Sequence, residues 1–525
     1  MATILNASSS EVCRGRPKAR SVVSTAGPLV GVVSWCGFLF FYGLGQSELY
    51  RTESLRAIIA AEFLRSGNWF VPTLYGQPLL TKPFGAYAAI ALCSWPVGRV
   101  TESTARLPSA FAASCTVLLC FWYFRRHLGL LGGVLAAVLT PMSLAWLDKA
   151  GSAEIDMLHV FWVTSAYLFF LRAIETFPPT ISPTKKDYEN WTWPMLASLC
   201  LAGGILTKWT APVFVYGSLI PFLLIRKQVF FLFSKFHLCG LVLCVLVVAG
   251  SFAMTASFVG VELLAQTFWR ELAQRFAPSH HHEGYPWLET VVHPLRIWLS
   301  ALPVSFAAGF VLSRRCRHAL LASSSVDSAD RAKIDATPKK RYLFLALQCW
   351  LWPNVIFWSV FPDHDVRQSL PLFGAISGLA VFVWWGWLTG RISWPFRRVR
   401  PAAVLIACAV VWLAAKVVFV HVVMPERMSR RQPLAKAALL KRHVPVGHTL
   451  HLSGVKDEGI MFYYGRPVRR FPSLDQLASP RIPIYVILTA SEWRRWPGPG
   501  RCLQKLQDQQ GDDLFLVYVP PSTVP

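Results

Sequence analysis

The chain reads as a polytopic, all-α membrane protein of about eleven transmembrane helices, with interfacial helices in its exterior loops and a small α/β domain at its C-terminal end. Three observations predict this. The 525 residues are 54% hydrophobic and only 15% charged, with a mean hydropathy of +0.41, too apolar for a soluble chain. Apolar runs of spanning length recur from residue 28 to residue 423, and beyond them the runs shorten to strand length. The net charge of +24 is gathered in short basic clusters between apolar runs. A membrane protein marks its cytoplasmic side in this way, so the charge does not point to a nucleic-acid partner.

Taken in order, residues 1–27 form a cytoplasmic tail whose Arg14, Arg16, Lys18 and Arg20 precede an uncleaved start-anchor. Spans are expected at 28–45, 104–124, 129–147, 157–173, 191–206, 209–225, 236–256, 294–312, 342–360, 370–389 and 401–423. The run 84–98 contains Pro96 and falls short of the ~20 residues a crossing needs, so it is assigned to the interface. With that choice every basic cluster lies on one side: the tail, Arg125-Arg126, Lys185-Lys186, Arg226-Lys227, the linker 313–341 and Arg397 to Arg400. The exterior then holds the loop 46–103, the loop 257–293 and the segment 424–525, together with Glu48, Glu53, Glu62, Glu102, Asp148, Glu154, Asp156, Glu283 and Glu289. A catalytic surface facing outward is the natural reading.

Within the first loop, Thr52 to Arg65 keeps apolar residues at helical spacing around Glu53, Arg56, Glu62 and Arg65, as in a helix lying on the membrane surface. An acid and several bases held there are a candidate reaction centre for a charged lipid, although ordinary loop polarity gives the same pattern. After residue 424, HTLHLSG, GIMFYYG, IPIYVILTA and LFLVYVP read as strands between helix-like LAKAALLKR and SLDQLA, an α/β domain capping the exterior face. The twelve cysteines are scattered without a CxxC and read as small buried hydrophobes.

The stretch RTESLRAIIAAEFLRSGNWFVPTLYGQPLLTKPFGAYAAIAL, then TARLPSAFAA at 104–113, AEIDML at 153–158, GGILTKWTAPV at 203–213, HHEGYPW at 281–287 and RQSLPLFGAI at 367–376 occur in that order. Together they resemble the ArnT-like and protein O-mannosyltransferase-like group of GT-C integral-membrane glycosyltransferases. The resemblance covers roughly residues 28–425 and implies a GT-C catalytic domain over 28–423. The implied activity is inverting transfer of a sugar from a polyprenyl-phosphate donor to a lipid, cell-surface glycan or protein acceptor, outside a bacterial cytoplasmic membrane. A monomer is expected, and no cofactor is certain.

The resemblance also implies site residues. The family's exterior acid, commonly the first of an Asp-Glu pair, falls where this chain has Thr52-Glu53, so Glu53 is the expected general base and Glu48 the substitute. Asp156 matches the second exterior acid, though a carboxylate opening a span also serves as a helix cap. Lys82, Arg106 and Lys208 match family positions expected at the donor phosphate, where Arg367, a further exterior base, is placed with them; Arg56, another exterior base, and His281, His282 and Glu283 are expected at the substrate. The run His280 to Glu283 invites a divalent metal, with His281 or His282 as ligand, but consecutive histidines on a regular helix cannot converge on one ion. Thr81 stands where the family places a metal-binding Glu.

Two other classes fit less well. A polysaccharide polymerase or lipid-linked ligase would share the spans but not this motif series. A transporter would gather ionisable groups at span centres, where only Lys416 lies.

Overall fold

The computed structural model describes residues 26–176, 191–276, 287–322 and 336–521, apart from 397, 472, 479, 481 and 509. Helix α1 (Ala26–Cys36) continues as a π-turn to Phe41. The chain then leaves the bundle and turns at Arg51, whose φ of 51° and ψ of −121° suit glycine better than any other residue. That turn starts α2 (Thr52–Ser66), which Gly67 ends at a φ of 71°. A two-residue-strand hairpin, β1 (Thr73–Leu74) and β2 (Gln77–Pro78), is pinned to α2 by the Glu62 carboxylate, which accepts from the Thr73 hydroxyl and from the Tyr75 amide at 2.8 Å. Helix α3 (Gly85–Ser94) has ten residues, a length of about 15 Å, half the hydrocarbon thickness.

Helix α4 (Glu102–Leu139) opens with a reciprocal Thr101–Thr104 capping box and reverses at Gly129. The reversal is tight: a Cβ on Gly133 would lie 2.9 Å from the Phe121 carbonyl oxygen, so the two limbs run back along each other. There follow α5 (Leu144–Lys149), α6 (Asp156–Thr176), α7 (Thr192–Thr207), α8 (Ala211–Arg226), α9 (Lys235–Val259), α10 (Val261–Phe276), α11 (Trp287–Ser300), α12 (Val304–Gly309), α13 (Arg314–Leu321), α14 (Ala336–Val360), α15 (Phe373–Leu388), α16 (Pro401–Val418), α17 (Met424–Arg431) and α18 (Pro433–His443). The spanning window of α15 is wholly buried in protein, whereas only 17% of the windows of α9 and of the helix running on from α16 is covered. The first is the centre of the bundle. The other two lie at its edge, with Val245, Leu246, Val410 and Val411 exposed as a lipid-facing surface requires.

Among the described residues six helices are long and apolar enough to cross a membrane, not the eleven expected. The apolar runs are present, but five of them are short or broken. Those at 28–45, 191–206 and 209–225 fold as helices of 16 residues, about 24 Å long. The run 129–147 becomes the return limb of α4 and is interrupted before α5. The run 294–312 is split between α11 and α12. Hydropathy counts apolar residues and does not see where the backbone breaks. The chain is nonetheless a mostly helical, multi-pass membrane protein.

The C-terminal segment is α/β. Its five-stranded sheet has the order β4-β3-β5-β7-β6, from β3 (Leu450–Leu452), β4 (Val468–Arg470), β5 (Ile484–Thr489), β6 (Arg501–Gln507) and β7 (Asp513–Val519). Strand β3 is parallel to β4 and β5, and β7 is antiparallel to β5 and β6. GIMFYYG, expected as a strand, is instead α19 (Glu458–Tyr464): the Asp457 carboxylate caps the Ile460 amide at 3.2 Å and Gly465 ends the turn at a φ of 60°.

A second correction concerns α2. Its apolar face rests on protein, not on the membrane surface. Leu49, Ile59, Ala60 and Phe63 share one core with Tyr87 of α3, Leu440 of α18 and Ile460, Met461 and Tyr464 of α19. The Tyr463 hydroxyl ties the two parts further, accepting from the Leu49 amide and donating to Glu102, each at 2.8 Å. The first loop is thus clamped between the membrane bundle and the C-terminal sheet, with α2 opening at the junction.

Candidate active site

The strained turn at Arg51 sets Glu53 in the first turn of α2, facing α4. There Arg106, its side chain 2% exposed, meets the carboxylate as a fork: Nε donates to Oε1 at 2.9 Å and Nη2 to Oε2 at 3.0 Å. The three remaining N–H groups go to carbonyls of the loop before α2, those of Leu44 (2.9 Å), Ser47 (2.8 Å) and Glu48 (3.2 Å). All five guanidinium donors are therefore used inside the protein. Arg106, expected at the donor phosphate, directs these donors to Glu53 and to the first loop, which it fastens. The Ala153 amide adds a 2.7 Å bond to Glu53 Oε1, so three separate chain segments meet at this carboxylate. Among the described residues Oε2 accepts one bond, which leaves its second lone pair for a ligand.

The loop 148–156 supplies the other acids. Glu154 Oε1 accepts from the Thr52 hydroxyl at 3.2 Å, and Oε2 lies 3.1 Å from Lys149 Nζ and 3.8 Å from Arg367 Nη1. Burial works against its charge, but Lys149, Arg56 and Arg367 prevail and hold the carboxyl down to about 2. Asp156 opens α6 and pairs with Lys208 at 3.4 Å, both almost fully buried. Arg56 bridges the same region, donating to the carbonyls of Thr52 (3.1 Å) and Ala153 (3.5 Å). Asp148 is likewise held below the usual carboxylate range: burial opposes its charge, and Lys149 and Arg427 outweigh burial.

Glu53, Arg56, Arg106, Asp156, Lys208 and Arg367 thus lie on one connected set of contacts. Lys82 pairs with the second exterior loop. Its Nζ lies 3.1 Å from Glu271 of α10, which ties the first loop to the second. Arg367 is chiefly occupied by Asp365, at 2.6 and 2.7 Å. Glu48 accepts from the Leu434 amide at 3.3 Å and so fixes the start of α18. His281, His282 and Glu283 lie outside the described residues, and among those described no three His, Cys, Asp or Glu converge as a metal cage.

Over these groups opens a cavity of about 590 Å³, lined by Glu53, Glu154, Asp148 and Glu458 and by six bases, Arg51, Lys149, Arg367, Arg427, Arg431 and Lys456. A smaller space of about 80 Å³ lies beside it, sharing Glu53, Arg427 and Arg431 and adding Glu48, Arg106 and Phe419. Arg427 reaches Asp148 at 2.8 Å and Arg431 stacks over the Tyr50 ring at 3.6 Å. Arg427, Arg431 and Lys456 come from the C-terminal segment and were not among the residues expected. A signal for two of them was present: RMSRR follows the last expected span, on the side that the sequence reading assigns to the exterior, where a membrane protein carries fewer bases.

A family model described as dolichyl-phosphate-mannose-protein mannosyltransferase matches residues 81–252. The undecaprenyl phosphate-alpha-4-amino-4-deoxy-L-arabinose arabinosyl transferase of Pectobacterium carotovorum subsp. carotovorum is 23% identical over 396 residues, 74% of this chain and 64% of that protein. One of the same description from Sodalis glossinidius is 28% identical over 62% of this chain and 53% of that protein. The chain therefore spans between half and two thirds of these relatives' length. In fold, ArnT from Cupriavidus metallidurans, solved bound to undecaprenyl phosphate, superposes with a TM-score of 0.70 at 14% identity, covering 94% of this chain and 98% of that one. The Archaeoglobus fulgidus oligosaccharyltransferase gives a TM-score of 0.52 at 12% identity, over 90% of this chain and 70% of that one.

Proposed function

We propose that the chain is an inverting glycosyltransferase of the ArnT-like and protein O-mannosyltransferase-like GT-C group, a reading supported by the family-model match, the relatives and the shared fold. In this reading it moves a sugar from a polyprenyl-phosphate donor to a lipid, cell-surface glycan or protein acceptor. The observation that carries the reading is the Glu53–Arg106 fork at the edge of a charged cavity of about 590 Å³, at the junction of bundle and C-terminal sheet. The acceptor hydroxyl gives its proton to the free lone pair of Glu53 Oε2 while its oxygen bonds to the anomeric carbon. The bond from that carbon to the phosphate oxygen breaks on the opposite face, its electron pair leaves with the polyprenyl phosphate, and configuration inverts. Lys82, Lys208 and Arg367 offset the charge that grows on the phosphate. Arg106 acts through Glu53 as a positioning residue, and Arg56 orders the loops around it. Glu154, held ionised by Lys149, Arg56 and Arg367, serves electrostatically.

The same reading assigns 1–27 to a cytoplasmic tail, 28–423 to the catalytic membrane domain and 424–525 to an exterior domain in a bacterial inner membrane. A test uses the purified chain in proteoliposomes with synthetic polyprenyl-phosphate sugars and isolated membranes as acceptors. Mass spectrometry should find free polyprenyl phosphate and a new sugar-bearing product in equal amounts. No donor consumption with any sugar would overturn the assignment.

A further inference from the structure

Among the described residues there is a buried lysine that the mechanism leaves unused. Lys416 lies near the end of α16, 4% exposed. Among the described residues its ammonium has no hydrogen bond and no carboxylate partner; it faces the Phe419 ring, 6.0 Å from Nζ to the centroid. Its charged neighbour is Arg106, of the same sign. A lysine that merely snorkels would expose its tip, and a lysine kept for packing would be better replaced by methionine, since a buried unpaired ammonium is costly at membrane depth.

What lies beside the ammonium gives it a purpose. A Cβ on Gly151 would sit 3.9 Å from Nζ and equally from Leu44 Cδ1, so a larger side chain at this position would stand against the ammonium. Gly151 and Phe419 both line the 80 Å³ space beneath Glu53. The ionised side chains of that lining balance: Glu48, Glu53 and Asp148 against Arg106, Arg427 and Arg431. Lys416, just behind them, is one positive charge in excess. The same space is bordered by Phe419, at the end of the last membrane helix, and by Met424 and Met428 of α17, which runs on from it, an apolar flank suited to a chain that arrives from the lipid.

We propose that Lys416 is the inner anchor of a lipid-phosphate site, taking one phosphate group of a membrane-borne ligand through the opening that Gly151 leaves beneath Glu53. The phosphate belongs either to the polyprenyl carrier or to a phosphorylated lipid acceptor. Its assignment to a substrate rests on the glycosyltransferase reading, whereas the anion site itself does not.

The test compares the full chain with Lys416→Met and Gly151→Leu in detergent, titrated with a polyprenyl phosphate, with phosphatidic acid and with inorganic phosphate. Tryptophan fluorescence reports binding, and unfolding without ligand reports stability. Lys416→Met should unfold at the wild-type temperature or above, because the change removes an unpaired buried charge. It should nevertheless bind one phosphate lipid at least tenfold more weakly. Gly151→Leu should show the same loss with the ammonium still in place. Loss confined to polyprenyl phosphate assigns the site to the donor, and loss that includes phosphatidic acid assigns it to a phosphorylated lipid. Wild-type affinity of Lys416→Met for both lipids overturns the proposal. So does a lower unfolding temperature without ligand, which would mean that the ammonium's partner is the protein, and so does an effect on inorganic phosphate alone. Failure of sugar transfer by the wild-type chain would sink the glycosyltransferase reading and leave these binding results standing.

Discussion

Replacing Arg106 by methionine keeps an unbranched apolar stem and removes five donors at once. Glu53 would keep only the Ala153 amide, and the carbonyls of Leu44, Ser47 and Glu48 would lose their partner. With Arg106 at 2% and Glu53 at 13% exposure, solvent reaches little of what is left. Removing one member of such a buried pair costs about 3–5 kcal/mol, a large part of the roughly 5–15 kcal/mol that holds a domain folded. Arg106→Met in detergent should therefore unfold several degrees below wild type and lose nearly all turnover, because the carboxylate is no longer held at the cavity. The double variant Glu53→Gln with Arg106→Met should recover stability, since no uncompensated charge remains, but not activity. Thermal unfolding by tryptophan fluorescence and transfer from a polyprenyl-phosphate sugar read the two effects separately. A single variant with wild-type stability and only a raised KM for donor would refute the fastening role and return Arg106 to the phosphate.

Three further outcomes follow from the same contacts. Lys82→Ala breaks a partly exposed pair with Glu271, so stability should move by less than about 1 kcal/mol while turnover falls by ~10²-fold; donor-titration kinetics alongside thermal unfolding would show otherwise if the lysine were structural. Glu154, depressed from the usual carboxylate value to about 2, contributes stability that is complete above pH ~4.5 and disappears as pH falls towards 2; Glu154→Gln should flatten that part of the unfolding curve, and an unchanged acid limb would count against the Lys149 and Arg367 pairing. A reporter fluorescent only in the cytoplasm should be dark when fused at the C-terminus and bright within 314–341; a bright C-terminal fusion would invert the proposed topology.

The membrane class was legible in the sequence, because apolar length acts residue by residue. Span number was less legible, since it depends on where the backbone breaks: the left-handed Gly129 and the breaks before α5 and α12 leave the apolar content unchanged. GIMFYYG read as a strand because a seven-residue apolar run has no period long enough to reveal a helix, and the decision rested on the Asp457 cap. For the site, motif order brought together Glu53, Arg106, Asp156 and Lys208. It could not tell that Arg106 spends its donors on the loop carbonyls, because that depends on contacts about sixty residues apart in the chain, such as that with Leu44. The C-terminal bases Arg427, Arg431 and Lys456 were missed because the segment carrying them was read as a cap, whereas its packing on α2 makes it a wall of the cavity.

The most direct measurement is the transfer rate of reconstituted Glu53→Gln. Glutamine keeps the size of the side chain and removes its charge and basicity. Single-turnover transfer should fall by ~10²-fold or more, the scale of a lost general base, while affinity for the polyprenyl-phosphate donor stays near wild type. Wild-type transfer by the Gln variant would contradict the account and move the reaction to another carboxylate.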